Sequence, residues 1–167
     1  MTDNRKLPDG YGVADASWRD LTKDQQQTVL KILGDGKAVD VASAKVELPH
    51  VTALVLLRHH DAIVGVGTIK PERVWYAKDV QSAKKSGHPF DPKTLELGYV
   101  VVAQDHQDKK LSSHIADALL AGHKGALFAT TDKEKMKSAL GHRGFVQHGN
   151  EWKGRNGTKL SLWLRES

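Results

Sequence analysis

The sequence predicts an α/β fold, with a mixed and mostly antiparallel sheet of six or seven strands and about four helices. Residues 95–102 form an apolar, β-branched run of strand length, and apolar residues then repeat at helical spacing as far as Gly122. A further apolar run at 126–130 completes a strand–helix–strand unit, whose two strands are expected to be parallel. Apolar runs on either side of residues 59–61 predict one antiparallel hairpin, and the turn signal at 154–158 predicts a second.

Composition and charge define the broad class of protein. Of the 167 residues, 39% are hydrophobic and 27% are charged, which is typical of one globular domain with a sizeable core. The absence of cysteine excludes a disulfide framework, a thiolate metal site and an acyl-cysteine intermediate. The net charge of +5 favours acidic partners such as a nucleotide-bearing cofactor. Because that excess is spread along the chain, we do not predict a nucleic-acid partner.

The start of the chain is polar and carries few structural signals. We expect residues 1–12 to be a flexible tail and residues 13–167 to form a single domain, which begins with a short strand at 13–21. No apolar run reaches the length of a membrane span, so we expect a cytoplasmic protein with no membrane partner. The sequence allows a homodimer without specifying one.

Two helices are predicted after the first strand. Thr22 and Gln25 match the capping-box pattern of a helix start, and Gly34 is expected to end that helix. Residues 40–47 predict a second, shorter helix that Pro49 stops.

The first hairpin is predicted from apolar runs at 51–58 and 62–69. Gly65 and Gly67 leave one face of its second strand without side chains. Residues 71–93 then break the pattern and are interpreted as an inserted loop. Its aromatic residues and lysines suit contact with a ligand, and a plain surface loop anchored by a tryptophan is the alternative.

The C-terminal part predicts one helix and one hairpin. Thr131 and Glu134 match a second capping box, and the helix is expected to reach about His142. Runs at 145–152 and 159–165 flank the turn signal GRNGT and predict the closing hairpin.

The strand, polar turn and helix from Leu95 to Gly122 resemble the core motif of the GCN5-related N-acetyltransferase family. That motif runs from a strand through arginine or glutamine, two residues, glycine, one residue, and glycine or alanine into a helix. Gln107 matches the leading glutamine, whereas Lys110 and Ser112 stand at the two glycine positions. The resemblance implies an acyl-CoA N-acyltransferase-like fold.

The resemblance also implies acetyl-CoA, or another acyl-CoA, as co-substrate, and no metal. Its pyrophosphate would lie on the backbone of Gln107, Asp108, Lys109, Lys110, Leu111, Ser112 and Ser113, and its pantetheine would run along Val100, Val101 and Val102, where the strand bulges. The first turn of a helix offers unpaired N–H groups and the positive end of the dipole to an anion. Two lysines are unfavourable there unless an anion is bound. The Lys110 side chain either crowds the pyrophosphate or, turned outward, neutralises it.

Catalytic roles follow from the same resemblance. Glu96 lies in the strand that carries the family's catalytic glutamate and is the candidate base for the attacking amine. An outward, solvated Glu96 is the alternative. Leu140 stands where the family commonly has a proton-donating tyrosine, so we expect His142 or water to take that role, although a histidine there is also a routine helix cap.

The function that we expect is acyl transfer from acyl-CoA to an amine that the sequence does not identify. The alternative is a catalytically impaired domain of the same fold that acts as a binding or assembly module. The adjacent His59 and His60 would face opposite ways in a strand, and no H-E-x-x-H spacing occurs, so metal binding is not predicted.

Overall fold

The computed structural model describes residues 6–37, 40–154 and 157–166, and the side chain of Asp108 lies outside what it describes. The helices and strands are β1 (Tyr11–Ala16), α1 (Lys23–Asp35), α2 (Val41–Glu47), β2 (Ala53–His59), β3 (Ala62–Ile69), α3 (Val74–Gln81), β4 (Leu95–Val102), α4 (Leu111–Ala121), β5 (Leu127–Thr131), α5 (Glu134–Gly141), β6 (Val146–Lys153) and β7 (Lys159–Arg165).

The predicted fold class is confirmed. The strands form one mixed, seven-stranded sheet in the order β1-β2-β3-β4-β5-β7-β6, and the described residues include five α-helices. The extra helix is α3, which lies in the segment 71–93 that we expected to be a loop.

The chain divides into two compact units. The first unit runs up to Ile69 and includes Tyr99–His123, and the second comprises Lys70–Gly98 together with the residues from Lys124 onward. The expectation of a single domain over 13–167 stays a prediction.

In the first unit, β1, β2 and β3 form an antiparallel meander with α1 and α2 on one face. β1 pairs with β2 from Tyr11 opposite His59 to Ala16 opposite Leu54. The hairpin between β2 and β3 turns at His60, which has a φ of 53°. The core on this face is built from α1, α2 and the 3-10 turn after it, β2, β3 and the second half of β4. Its buried residues are Val29, Leu30, Ile32, Leu33, Ala44, Leu48, Leu54, Leu56, Ile63, Val66, Tyr99 and Val101.

The predicted start of α1 is confirmed, but its end and the preceding strand differ from the prediction. Thr22 and Gln25 form both hydrogen bonds of a capping box. The helix passes through Gly34 and ends one residue later, at Asp35. β1 spans Tyr11–Ala16 rather than 13–21, because its pairing with the buried strand β2 determines its length. Trp18 lies in a short 3-10 turn after β1.

Helix α4 packs on the opposite face of this meander, over the two glycines of β3. A β-carbon added to Gly67 would lie 2.3 Å from Ile115 Cγ2 and 2.9 Å from Leu119 Cδ1, and one on Gly65 would lie 3.0 Å from Ile115 Cδ1. Side chains on these strands alternate between faces, so the glycines leave a groove that α4 fills. This close approach positions the start of α4.

In the second unit, β5, β7 and β6 are antiparallel neighbours with α3 on one face. Its core contains Ala77, Val80, Phe128, Trp152 and Leu162. Helix α5 lies on the other face, because Gly141 approaches Trp163, whose neighbour Leu162 points toward α3.

Two further predictions are wrong in detail. Thr131 is the last residue of β5 and therefore does not cap α5, whose N-cap is Lys133 without a side-chain capping bond. The notion of parallel strands is confirmed for β4 and β5, but sequence patterns favoured pairing along residues 97–102, whereas the observed pairs are Leu95 with Leu127 and Glu96 with Phe128. In the turn GRNGT, residues 155 and 156 lie outside the described residues.

Across the residues that the structure describes, no helix is both long enough and apolar enough to span a membrane.

The packing of α4 gives a testable prediction for stability. Gly67→Ala should lower the free energy of unfolding by about 1 to 3 kcal/mol, because the new methyl group overlaps Ile115 and Leu119. Gly12→Ala is the matched control, since it also replaces a strand glycine and nothing lies within 4 Å of the position that its new methyl group would take. Urea denaturation of both variants measures the difference, and equal stabilities would contradict this account of the groove.

Candidate functional site

Strand β4 is irregular at Tyr99, in the region where the family resemblance predicted a bulge. Tyr99 has a φ of 57°, in the left-handed region that a tyrosine rarely adopts. Its ring is buried and its hydroxyl donates to the Glu47 carboxylate, which holds the strained residue in place. A bulge at this point would turn backbone groups of the following residues out of a regular ladder. The role of Val100, Val101 and Val102 in binding a ligand stays a prediction.

The polar turn after β4 is a 3-10 helix over Gln104–Lys109. The Gln107 side chain folds back, and its Nε2 donates to the carbonyl oxygen of Val102 at 3.1 Å. The glutamine that matches the family motif therefore fixes the turn to the end of β4. Asp108 lies in this turn, and its side chain is outside the described residues.

Lys110 occupies the N-cap of α4 in a left-handed conformation, with a φ of 55° and a ψ of 27°. Glycine adopts this conformation without steric cost, whereas other residues pay about 1 to 2 kcal/mol. Lys110 therefore adopts, at a cost, a conformation that the glycine of the family motif would adopt freely. The Lys110 side chain makes no capping hydrogen bond, so the first turn of α4, with Leu111, Ser112 and Ser113, has no side-chain acceptor at its N-cap.

A shallow cavity of about 140 Å³ lies at this helix start. It is lined by Lys6, Pro8, Lys109, Lys110, Ser113, His114 and Asp117. The lining includes three lysines and one carboxylate, that of Asp117, and the helix dipole adds further positive potential. The cavity therefore favours an anion. The sequence identified Lys109 and Lys110 but missed Lys6, because nothing in a polar tail shows that it returns to this helix.

An aromatic and imidazole cluster adjoins Lys109 in the same unit. Lys109 Nζ donates to the Tyr11 hydroxyl at 3.3 Å, and that hydroxyl lies 2.6 Å from His106 Nδ1. The His59 ring lies 4.4 Å from Tyr11 and 5.2 Å from His106, measured between ring centroids. Burial lowers the pKa of His59, and the neighbouring positive charges lower it further. Pairing of β1 with β2 assembles this cluster, so sequence spacing gave no signal of it.

Glu96, in the second unit, is a buried carboxylate. It is only 6% exposed, so the outward, solvated alternative is wrong. Its Oε1 lies 2.5 Å from Arg73 Nη2 and 3.7 Å from Lys70 Nζ. Gly98 makes room for this arrangement, because a β-carbon there would lie 2.7 Å from Lys70 Cε. A charge is buried at low cost only when opposite charges compensate it.

Tyr76 of α3 completes this cluster. The Arg73 guanidinium lies 4.3 Å from the centroid of the Tyr76 ring, which stacks on Phe128 with centroids 6.2 Å apart. The Tyr76 hydroxyl lies 3.5 Å from Thr130 Oγ1. Burial, and then the charge of Glu96, raise the pKa of Tyr76 to about 12. The sequence placed Tyr76 in a loop and offered no reason to connect it with Glu96.

The remaining candidates lie on α5. Leu140 is 1% exposed and forms part of the core, so no proton donor stands at this position. His142 is the C-cap of α5 and is exposed, with its backbone N–H bonded to the carbonyl oxygens of Leu140 and Ser138. The catalytic role of His142 stays a prediction.

Within the described ranges 6–37, 40–154 and 157–166, no three side chains with metal-binding groups come together.

Comparison with known proteins gives a fold match without a sequence match. No protein-family model matches this sequence, and no curated protein matches it either. A GNAT family acetyltransferase from Elizabethkingia anophelis, solved with acetyl-CoA bound, aligns with 96% of this chain and 100% of its own at a TM-score of 0.62 and 12% identity. An acyl-CoA N-acyltransferase from Pseudomonas aeruginosa aligns over 93% of this chain and 99% of its own, at a TM-score of 0.66 and 10% identity. ElaA from Escherichia coli aligns over 93% of this chain and 99% of its own, at a TM-score of 0.65 and 13% identity.

These similarities extend over almost the whole length of both chains in each pair, and they agree with the resemblance found in the sequence. The chain therefore has the acyl-CoA N-acyltransferase fold of the GCN5-related N-acetyltransferases.

Proposed function

We propose that this protein transfers an acetyl or other acyl group from acyl-CoA to an amine. The observation that carries the proposal is the cationic cavity at the start of α4. Lys110, which has a left-handed backbone conformation, is one of the residues that line it. The acetyl-CoA in the Elizabethkingia anophelis structure of the same fold supports the choice of ligand.

The pyrophosphate is the part of acyl-CoA that fits this cavity. A helix start without a side-chain cap presents N–H donors, and Lys6, Lys109 and Lys110 add positive charge. With no anion bound, these cations and the helix dipole repel one another. A bound diphosphate turns that repulsion into attraction, which is the reason to expect a ligand rather than a solvated turn.

The pantetheine arm would run along Val100, Val101 and Val102. Tyr99 has a left-handed backbone conformation within β4. If β4 bulges there, backbone groups of the following residues would turn out of the ladder, and the two amides of pantetheine could pair with them. Gln107 holds the turn against Val102, so the arm and the pyrophosphate would bind to one rigid segment.

The acyl transfer itself would take place at Glu96. The amine nitrogen bonds to the acyl carbon, the carbon–sulfur bond breaks, and the electron pair leaves with sulfur. Glu96 accepts the proton of the amine, directly or through water. Arg73 and Lys70 hold the carboxylate in position. The acceptor is an amine whose identity is open.

A non-catalytic binding module is the second candidate, and the burial of Leu140 favours it. An apolar core residue replaces the family's tyrosine, so one proton donor is missing. Only the enzyme consumes acyl-CoA, so turnover distinguishes the two candidates.

Ligand binding is tested by calorimetric titration with acetyl-CoA. Replacing both Lys109 and Lys110 by alanine should lower the affinity about 5- to 30-fold, or about 1 to 2 kcal/mol, because two charge-assisted contacts to the pyrophosphate are lost. Lys110→Gly should also weaken binding if the side chain neutralises the phosphates, and should strengthen it if the side chain obstructs them.

The control for the double variant is Lys133→Ala with Lys135→Ala. This pair removes the same charge near the start of α5 and should leave the affinity unchanged. An absence of heat and of thermal shift at millimolar acetyl-CoA for the unmodified protein would contradict the proposed function.

The role of Glu96 is tested with Glu96→Gln. Turnover is measured as release of the free CoA thiol from acetyl-CoA with a panel of primary amines. With the best acceptor, the kcat of the variant should be about 10²- to 10⁴-fold lower than that of the unmodified protein. Because the variant also removes the carboxylate beside two buried cations, its stability should drop by about 3 kcal/mol, so the assay is run below its unfolding temperature. Glu134→Gln, an exposed site, is the control. Undiminished turnover by a folded Glu96→Gln variant would mean that Glu96 is only a structural ion-pair partner.

A further inference from the structure

Lys109 belongs both to the lining of the anion cavity and to the group of rings beside it. That group, here called the imidazole cluster, comprises Tyr11, His59, His60 and His106. All of its residues lie in the first unit, as do those that line the cavity. A change of charge in the imidazole cluster therefore acts on one of the cations that a bound anion would meet.

The hydrogen bonds of Tyr11 indicate the protonation state of His106. Lys109 Nζ lies 3.3 Å from the Tyr11 hydroxyl oxygen, which accepts there because an ammonium group can only donate. The hydroxyl proton is left for His106 Nδ1, which lies 2.6 Å away. An imidazole that accepts at Nδ1 carries its proton on Nε2 and is neutral. In this structure, Tyr11 therefore binds the Lys109 ammonium beside a neutral His106.

Protonation of His106 is incompatible with this arrangement. His106 would then carry a proton on Nδ1 as well, and could only donate to the Tyr11 oxygen. That oxygen would contact two cations, the imidazolium and the Lys109 ammonium, which repel each other. The bond from Lys109 to Tyr11 is exposed to solvent and is the longer of the two, so it is the one that breaks.

The environment of His59 shows the same competition between positive charges. Burial, and then the charges of His60, His106 and Lys109, lower the pKa of His59. A bound anion offsets those charges, so it raises the pKa of His59, and its binding is coupled to the uptake of a proton. By this linkage, the affinity for the anion increases as the pH falls.

The titratable side chains around the imidazole cluster and the cavity come from the residues before β1, from β1, from the hairpin between β2 and β3, from the turn before α4 and from α4. They are Lys6, Tyr11, His59, His60, His106, Lys109, Lys110, His114 and Asp117. Carboxylates keep their charge over the range in which histidine titrates. The imidazoles therefore set any change of charge there, and His114, which lines the cavity itself, has to be distinguished from His106.

We propose that Tyr11 and His106 bind the Lys109 ammonium near neutral pH and release it to the anion when His106 takes up a proton. Anion binding at the start of α4 is thereby strengthened by acid. This inference concerns the regulation of the proposed CoA site. It rests on the anion-binding part of the proposed function and not on acyl transfer.

The test measures the affinity for dephospho-CoA by calorimetric titration at about pH 8 and about pH 5, the limits of the range in which histidine changes charge. This ligand has the diphosphate of CoA but lacks its phosphate monoester, a group whose own charge changes in that range. The unmodified protein at low salt should bind it about three- to tenfold more tightly at the lower pH.

Two variants test the roles of His106 and Tyr11. His106→Gln has a group that accepts from Tyr11 but takes up no proton, so the ratio of the two affinities should fall below about twofold. Tyr11→Phe leaves Lys109 without its hydroxyl partner at both pH values, so the affinity at about pH 8 should rise about two- to threefold. Tyr11→Phe also serves if His106→Gln does not fold.

His50→Gln is the matched control. His50 is an exposed histidine in the 3-10 turn after α2, and α2 packs on the face of the meander opposite to α4. The ratio of the two affinities should be the same for this variant as for the unmodified protein.

The outcomes separate this inference from the proposed function. Equal affinities of the unmodified protein at both pH values would overturn the inference and leave the proposed function unaffected. The inference also fails if His114→Gln abolishes the pH dependence while His106→Gln and Tyr11→Phe behave like the unmodified protein. If the unmodified protein binds neither dephospho-CoA nor acetyl-CoA at either pH, the proposed function fails, and the inference fails with it.

Discussion

The candidate anion site depends on the close packing of α4 against Gly65 and Gly67. Without side chains on that face of β3, the helix approaches the strand until Ile115 and Leu119 occupy the space that a β-carbon would need. This contact fixes where α4 begins. The turn that enters it is fixed at its other end by the hydrogen bond from Gln107 to Val102. Between these two constraints, Lys110 is left in a left-handed conformation.

The backbone conformation of Lys110 is unfavourable for lysine, at a position where the family motif has glycine. The turn requires a positive φ, which glycine adopts freely and lysine adopts at a cost. The chain accepts this cost at a position where lysine adds a cation to an open helix start. Backbone strain retained at one residue is often found at binding sites. The same reasoning applies to Tyr99 in β4, where a buried hydroxyl contact holds a second strained residue.

The sequence predicted those parts of the fold that depend on local patterns. The strand over Leu95–Val102, the helix that follows it and the capping box at Thr22 are specified by residues close together in the chain. Helix α3 was missed because it has only eight residues, which is too short for helical periodicity to stand out from the polar residues and prolines around it. The prediction of a capping box at Thr131 was wrong because Thr131 is the last residue of β5.

The site was predicted in part for the same reason. Lys109, Lys110 and Glu96 lie in or beside a local motif, so a resemblance identified them. Their partners come from distant parts of the chain. Arg73 is 23 residues before Glu96, and Thr130 is 54 residues after Tyr76. Only the pairing of strands and the packing of α3 bring such residues together, and neither leaves a signal in residue spacing.

The most direct test of the anion site is an amide NMR titration of ¹⁵N-labelled protein with acetyl-CoA and, separately, with inorganic pyrophosphate. An anion bound at the start of α4 should shift the backbone N–H signals of Leu111 and Ser112 downfield with both ligands, because those groups would donate to phosphate oxygens. The signals of Lys135 and Met136 in the first turn of α5 should stay in place. Unchanged signals at the start of α4, or shifts of equal size in both helices, would contradict the account.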